Sequence, residues 1–108
     1  MASELPATAV VRVARANFDP ARIAEVDQMA KATGTYLIPA IQKLEGLLTY
    51  YVGVSPDGSF VHVSVWDSNE HAQQMGSLKE MMVDARADAE AVGVTSFEIV
   101  SYPLSWNT

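Results

Sequence analysis

The chain has 108 residues, 49% of them apolar, which suffices for one domain with its own core and no more. Thirteen acidic against seven basic residues leave a formal charge of -6, and no two cations are adjacent, so neither a nucleic-acid stripe nor a polybasic membrane patch is present. The absence of cysteine excludes disulfides, thiolate metal sites, iron–sulfur clusters and cysteine nucleophiles.

Residues 1–9 lack the basic and apolar stretches of an export signal, and no apolar run approaches the ~20 residues of a membrane span. A cytoplasmic protein with one domain over residues 1–108 is expected.

Residues 1–7 read as an N-terminal arm. Residues 8–15 (TAVVRVAR) are strand-like, with β-branched Thr8, Val10, Val11 and Val13. Asp19 and Pro20 then stand as N-cap and first helical residue. Ile23, Val26, Met29 and Ala30 follow at helical spacing. Gly34 and Pro39 interrupt this pattern and Tyr36, Leu37, Ile41 and Leu44 resume it. One helical region to about residue 45, bent or restarted near Pro39, is expected, with Gly46 as its stop.

Residues 47–54 and 60–66 read as strands joined by the tight turn Ser55-Pro56-Asp57-Gly58. Asp67 and Glu70 have capping-box spacing for a short helix, and Ser77 and Glu80 repeat it for a longer one. The longer helix has a stripe of Leu78, Met81, Met82, Ala85, Ala89 and Val92, and ends at Gly93. Residues 94–102 form a last strand and 103–108 a tail.

This β-α-β-β-α-α-β order predicts an α+β, ferredoxin-like split-βαβ domain. Its antiparallel four-stranded sheet has strand one between strands three and four and the helices on one face. Alternation sorts the third strand into Val61, Val63 and Val65, assigned to the helices, and Phe60, His62, Ser64 and Trp66 on the opposite face. A four-residue turn sets Tyr51 across from His62, and a three-residue turn with a bulge sets Tyr50 there instead; the first is adopted. Arg12, Glu98 and Tyr102 join the His62 face by parity. Left open, that face exceeds the ~300–600 Å² apolar patch usual on a monomer, so a homodimer through the sheet face is expected.

Glu45-Gly46-Leu47-Leu48-Thr49-Tyr50-Tyr51, the hairpin, and Val63-Ser64-Val65-Trp66-Asp67-Ser68-Asn69-Glu70 together resemble the antibiotic biosynthesis monooxygenase (ABM) family, whose dimeric α/β barrels have a Gly opening strand two and a Trp-acid-Ser-x-Glu step ending strand three. The resemblance spans residues 8–102. It implies a cofactor-independent monooxygenase acting on a small aromatic or polyketide-like substrate, as in anthrone-oxidising members that turn three-ring phenols into quinones. Their pocket pattern is an amide four residues before the Trp, a Tyr six after it and an Arg about twenty after. Those places fall on His62, Trp66, Ala72 and Arg86. Trp and Arg match, His replaces the amide, and Ala72 lacks the phenol. The haem-degrading branch also resembles this fold, but its Asn, Trp and ligating His fall near Arg12, Met75 and Ala85. No axial ligand is present there, and no cofactor is implied.

The chemistry needs a base near neutrality, an anion holder and flat walls. His62, Trp66 and Arg86 are read as catalytic, and Tyr51, Arg12 and Ser64 as substrate-binding. Each also has a structural role open to it: a cross-strand hydrogen bond for His62, a core or interface anchor for Trp66, an ion pair with Glu98 for Arg12, a solvated helix edge for Arg86. His71 reads as a surface residue, and the histidines lack the spacing and carboxylates of a metal site. The rival reading is a non-catalytic, small-molecule-binding dimeric module.

Overall fold

A computed structural model describes residues 5–108, so the first four residues of the expected arm, and of the segment read for an export signal, lie outside the described residues. Strands β1 (Val10–Asn17), β2 (Leu47–Ser55), β3 (Ser59–Trp66) and β4 (Thr95–Pro103) form one sheet in the order β2-β3-β1-β4. All neighbouring pairs are antiparallel. Helices α1 (Ile23–Ile41), α2 (Asn69–Ala72) and α3 (Lys79–Ala91) supply the second layer. The ferredoxin-like α+β architecture is therefore the one the order of elements dictates. No helix among the described residues is long and apolar enough to cross a membrane.

Local signals explain most boundaries. The Asp19 side chain accepts from the Ala21 amide at 3.0 Å and opens a 3-10 turn, Pro20–Arg22, that runs into α1. Neither Gly34 nor Pro39 breaks α1, which is continuous through both. Pro39 and Thr35 are exposed, so the Thr35 carbonyl that Pro39 leaves without an amide partner faces water. The helix ends at Ile41, earlier than expected, in turns closed by Ala40 and Ile41 carbonyls.

Two caps differ from expectation. Ser68, not Asp67, caps α2, accepting from the His71 amide at 3.2 Å. Asp67 instead takes the His71 ring at 2.6 Å. Ser77 caps nothing: its hydroxyl donates to the Gln74 carbonyl at 2.6 Å, and α3 begins without a side-chain cap. Gln74 bonds both backbone groups of Glu45, at 3.1 and 2.6 Å, clamping the start of β2 to the segment before α3.

The faces of β3 are the reverse of those expected. Phe60, Ser64 and Trp66 are buried beneath the helices, whereas Val61, Val63 and Val65 lie half-buried on the open face. Side-chain size decides the contest, because the indole and the phenyl each remove more apolar area from water than any one valine and each fills a core cluster beneath the helices. The polar members of the row also find partners there, so their burial leaves no hydrogen bond unmade. The helices of the same chain, rather than a second subunit, cover this row. On the open face Val11 pairs with Val65, Val13 with Val63, and Tyr51 with Val63.

The turn corrects a second reading. Ser55 pairs with Ser59, leaving a three-residue connection in which Gly58 has φ 97°. Val52 therefore stands across from His62 and Tyr50 across from Ser64, and the ladder slips at Leu48 so that Leu47 still meets Trp66. Tyr50 joins the His62 face, and Tyr51 points away from it. Arg12 pairs with Ser101, while Glu98 stands across from Arg15 and Tyr102 from Val11. The expected Arg12–Glu98 pair is precluded, since the two side chains leave opposite faces of the sheet.

The core is split. One cluster joins Phe18, Val26, Met29, Phe60, Ala89 and Val94 at one end of the sheet. Another joins Val10, Leu37, Ile41, Trp66, Ala72 and Met75 at the other. Between them the Tyr36 hydroxyl donates to Asp88 at 2.9 Å and ties α1 to α3. Gly46, at φ 75°, has no room for a side chain, because a Cβ would meet the His71 ring and the Asp67 carboxylate. Gly46→Ala should lower stability by about 2 kcal/mol or more, combining left-handed strain with loss of the Asp67–His71 contact; calorimetry gives the value, and an unchanged melting temperature would refute this role for Gly46.

Candidate functional site

The gap between the two core clusters is where β3 and its neighbours carry polar side chains under the helices. Arg12 of β1, His62 of β3 and Tyr50 of β2 project into it, and α1 and α3 roof it with Met29, Met82 and Ala85. The result is a largely apolar cleft of about 160 Å³. A broader groove of about 710 Å³ runs between the C-terminal half of α1 and β2. His62, Tyr50 and Thr33 border both spaces.

His62 is the centre of this arrangement. Its Nδ1 is hydrogen-bonded to the Tyr50 hydroxyl at 2.8 Å. Its ring meets the edges or faces of Tyr50 and Phe60 at near right angles, with centroids 5.7 and 5.1 Å away. Burial, and then the Arg12 cation, push its pKa down to about 4, so the imidazole is neutral at pH 7. Burial pushes the Tyr50 phenol up to about 12, against the smaller opposing pull of Arg12. Arg12 is itself held below the usual guanidinium value by burial. The site thus contains a neutral base, a neutral phenol and one desolvated cation.

The other sequence-selected residues fall in three places. Arg86 is exposed on α3 at the rim, its guanidinium 4.4 Å from the centroid of Phe97, a cation–π contact that steadies it at the mouth. Trp66 is fully buried and Ser64 nearly so, and the indole N–H donates to the Ser64 hydroxyl at 2.8 Å. Neither borders the cleft or the groove. Tyr51 is 64% exposed on the open sheet face. The fold thus brings together His62, Arg12 and Arg86, sets Trp66 and Ser64 into the core nearby, and sends Tyr51 elsewhere.

Tyr50 was the alternative set aside in favour of Tyr51, and Phe97 was not selected from the sequence at all. The three-residue turn was the signal for Tyr50, since that choice alone moves it onto the His62 face. Phe97 carried no such signal, because a register shift between Arg15 and Asn17 separates it from simple strand counting. His71 also gains a role. Its ring links Asp67 at 2.6 Å with Glu45 at 3.6 Å, and the hydrogen bond it donates to the Asp67 carboxylate raises its pKa first among the causes.

The two histidines make opposite demands on pH. His62 binds its proton less readily folded, at about 4, than unfolded, at about 6.5. Its contribution is present above pH 6.5 and is lost as pH falls from there through 4, on the order of 3 kcal/mol in all. His71 has a raised folded value, so its contribution is present below pH 6.5 and fades as pH rises through the folded value. His62→Gln should flatten the fall in stability between pH 6.5 and 4, as measured by urea unfolding across that range. A mutant curve parallel to wild type there would contradict the burial of a neutral imidazole.

No protein-family model and no curated protein matches the chain. Solved structures do. The ActVA-Orf6 monooxygenase of Streptomyces coelicolor, solved with Nanaomycin D, superposes with a TM-score of 0.74 at 16% identity, over 94% of this chain and 91% of that one. SnoaB, a cofactor-independent oxygenase from Streptomyces nogalater, gives 0.65 at 15% identity over 94% and 97%. Rv0793 from Mycobacterium tuberculosis gives 0.63 at 18% over 93% and 99%. Coverage of both partners is nearly complete, so the likeness concerns the whole domain. The chain has the fold of the antibiotic biosynthesis monooxygenases.

Proposed function

We propose that the protein is a cofactor-independent oxygenase of phenolic aromatic or polyketide-like substrates, with the cleft around His62 as its reaction chamber. The observation that carries this reading is a neutral, hydrogen-bonded imidazole beside a half-buried guanidinium in an otherwise apolar cleft. The fold shared with ActVA-Orf6 and SnoaB supports it.

The chemistry follows from what these groups offer. A phenol whose ring also bears an activated CH₂ becomes electron-rich enough to reduce oxygen once deprotonated. His62 accepts the proton and Arg12 holds the resulting anion, stabilising it in a low-dielectric space. Oxygen then bonds to the CH₂ carbon. Loss of water from the peroxide leaves a ketone, so CH₂ plus O₂ becomes C=O plus H₂O and the substrate supplies every electron. At about 160 Å³ the cleft is smaller than the ~300–1,000 Å³ of a typical drug-sized site. It takes the reacting ring, and the rest of the substrate extends past Phe97 toward Arg86. Trp66 and Ser64 act as the packed floor that fixes the β3 row.

The depressed basicity of His62 favours a second reading, in which the same cleft binds an aromatic anion without turnover. Oxygen uptake with a panel of hydroxy-anthrones separates the two. Turnover by wild type, reduced ~10²–10⁴-fold in His62→Ala and ~10²–10³-fold in Arg12→Gln, supports the oxygenase. Tight binding without oxygen uptake supports the binding module, and full turnover by His62→Ala would end that residue's assignment.

The same proposal includes a homodimer through the open sheet face. Val11, Val13, Val61, Val63 and Val65 form its half-buried centre, and Tyr51 and Tyr102 are exposed beside them. Because the cleft lies on the other side of the sheet, it needs no residue from a second copy. Val63→Glu should convert a sedimenting dimer into an 11.7 kDa particle; wild type already sedimenting as a monomer at micromolar concentration refutes the dimer.

A further inference from the structure

We propose that Tyr50 and His62 form a proton relay joining the cleft to the broader groove between α1 and β2, which rests on reading the cleft as a phenol-oxidising site. An imidazole has two nitrogens. Tyr50 occupies Nδ1 at 2.8 Å, leaving Nε2 for a ligand's hydroxyl. Both residues border both spaces, so the hydrogen bond between them lies in the wall the two spaces share. The groove beyond is open to solvent along the exposed side chains of Ile38, Leu48 and Val52.

The arrangement resolves a difficulty in the chemistry. A group held near 4 is a poor place to leave a proton at neutral pH, and a phenol held near 12 is a poor place to take one from. Neither has to ionise if the protons move together. The substrate O–H breaks as Nε2–H forms, and Nδ1–H breaks as a Tyr50 O–H forms. The hydroxyl's original proton leaves to solvent in the groove. The pair stays neutral, His62 emerges as its other tautomer, and the substrate remains as an anion beside Arg12. No electrons change hands. When oxygen has added and the peroxide anion needs a proton, the chain runs backward: Nε2 gives up its proton, Nδ1 regains one from Tyr50, and the Tyr50 hydroxyl regains one from solvent, so the starting tautomer returns and the proton needed for the loss of water is supplied.

The test follows ionisation alone, without oxygen. The full-length protein is mixed anaerobically with 4-nitrophenol in a stopped-flow instrument, and the phenolate absorbance is recorded in mixtures of light and heavy water. Wild type should ionise the probe with a curved dependence on deuterium fraction, the mark of several protons in flight. Tyr50→Phe should ionise it ~10–100-fold more slowly, with a linear dependence, while binding 4-nitroanisole as wild type does. Placing 3,5-difluorotyrosine at position 50 should shift the rate without changing the shape of the site, and this arm decides the matter if Tyr50→Phe does not fold. Wild-type rates and curvature in Tyr50→Phe, or an unchanged rate with difluorotyrosine, overturn the relay alone. A wild type that neither binds nor ionises 4-nitrophenol overturns the reading of the cleft, and the relay with it.

Discussion

The even-numbered side chains of β3 lie against the helices, and the rest of the structure depends on that choice. Phe60 and Trp66 anchor the two ends of the row in separate core clusters, and the strand's alternation carries His62 into the space between them. A strand cannot reverse one residue without its neighbours. His62 is therefore drawn half-buried beneath the helices because the two large aromatics flanking it are buried there. Its burial lowers its basicity and demands a partner, which Tyr50 provides. Large aromatics pack at both ends, and a polar group is thereby held in a dry interval.

The order of elements was legible because capping, turn and periodicity signals agree with one another: Asp19-Pro20 before α1, Pro56-Asp57-Gly58 in the hairpin, Gly93 after α3. That agreement is what makes a topology readable without coordinates. The facing of β3 was misread for a physical reason. Three valines look more core-like than a row containing His and Ser, but pattern alone does not weigh the area of Trp66 and Phe60 or anticipate that Ser64 would satisfy the indole. The hairpin register turned on one residue of loop length, which alternation cannot supply when tyrosines occupy successive positions. Within the candidate site, His62, Arg12 and Arg86 were selected for their chemistry and lie at one cleft. Tyr51 was selected in place of its neighbour because of the same one-residue difference.

Moving the row under the helices separates two features that a single covered face would have joined. The cleft is built wholly within one chain, from all four strands together with α1 and α3. The valine-rich face is free to serve association, and its dense β-branched packing is unconnected with the polar interval on the other side. Around the cleft the charges are arranged economically. Arg12 is half-buried and desolvated, Arg86 is exposed and stacked on Phe97, and the acidic surplus of the chain lies mostly on exposed positions. The cation at the rim is thus screened by solvent, and the one inside the cleft is screened least.

The proposed chemistry requires an aromatic ligand to lodge between sheet and helices against His62 and Arg12. Side-chain and backbone NMR of the ¹⁵N-labelled protein, titrated with a hydroxy-anthrone under nitrogen, addresses it most directly. Saturable shifts are expected at the His62 ring nitrogens and the Arg12 guanidinium, with a smaller response at Arg86. Shifts confined to the backbone amides of Tyr51, Tyr102 and the valines of the open sheet face, with His62 and Arg12 silent, would contradict it.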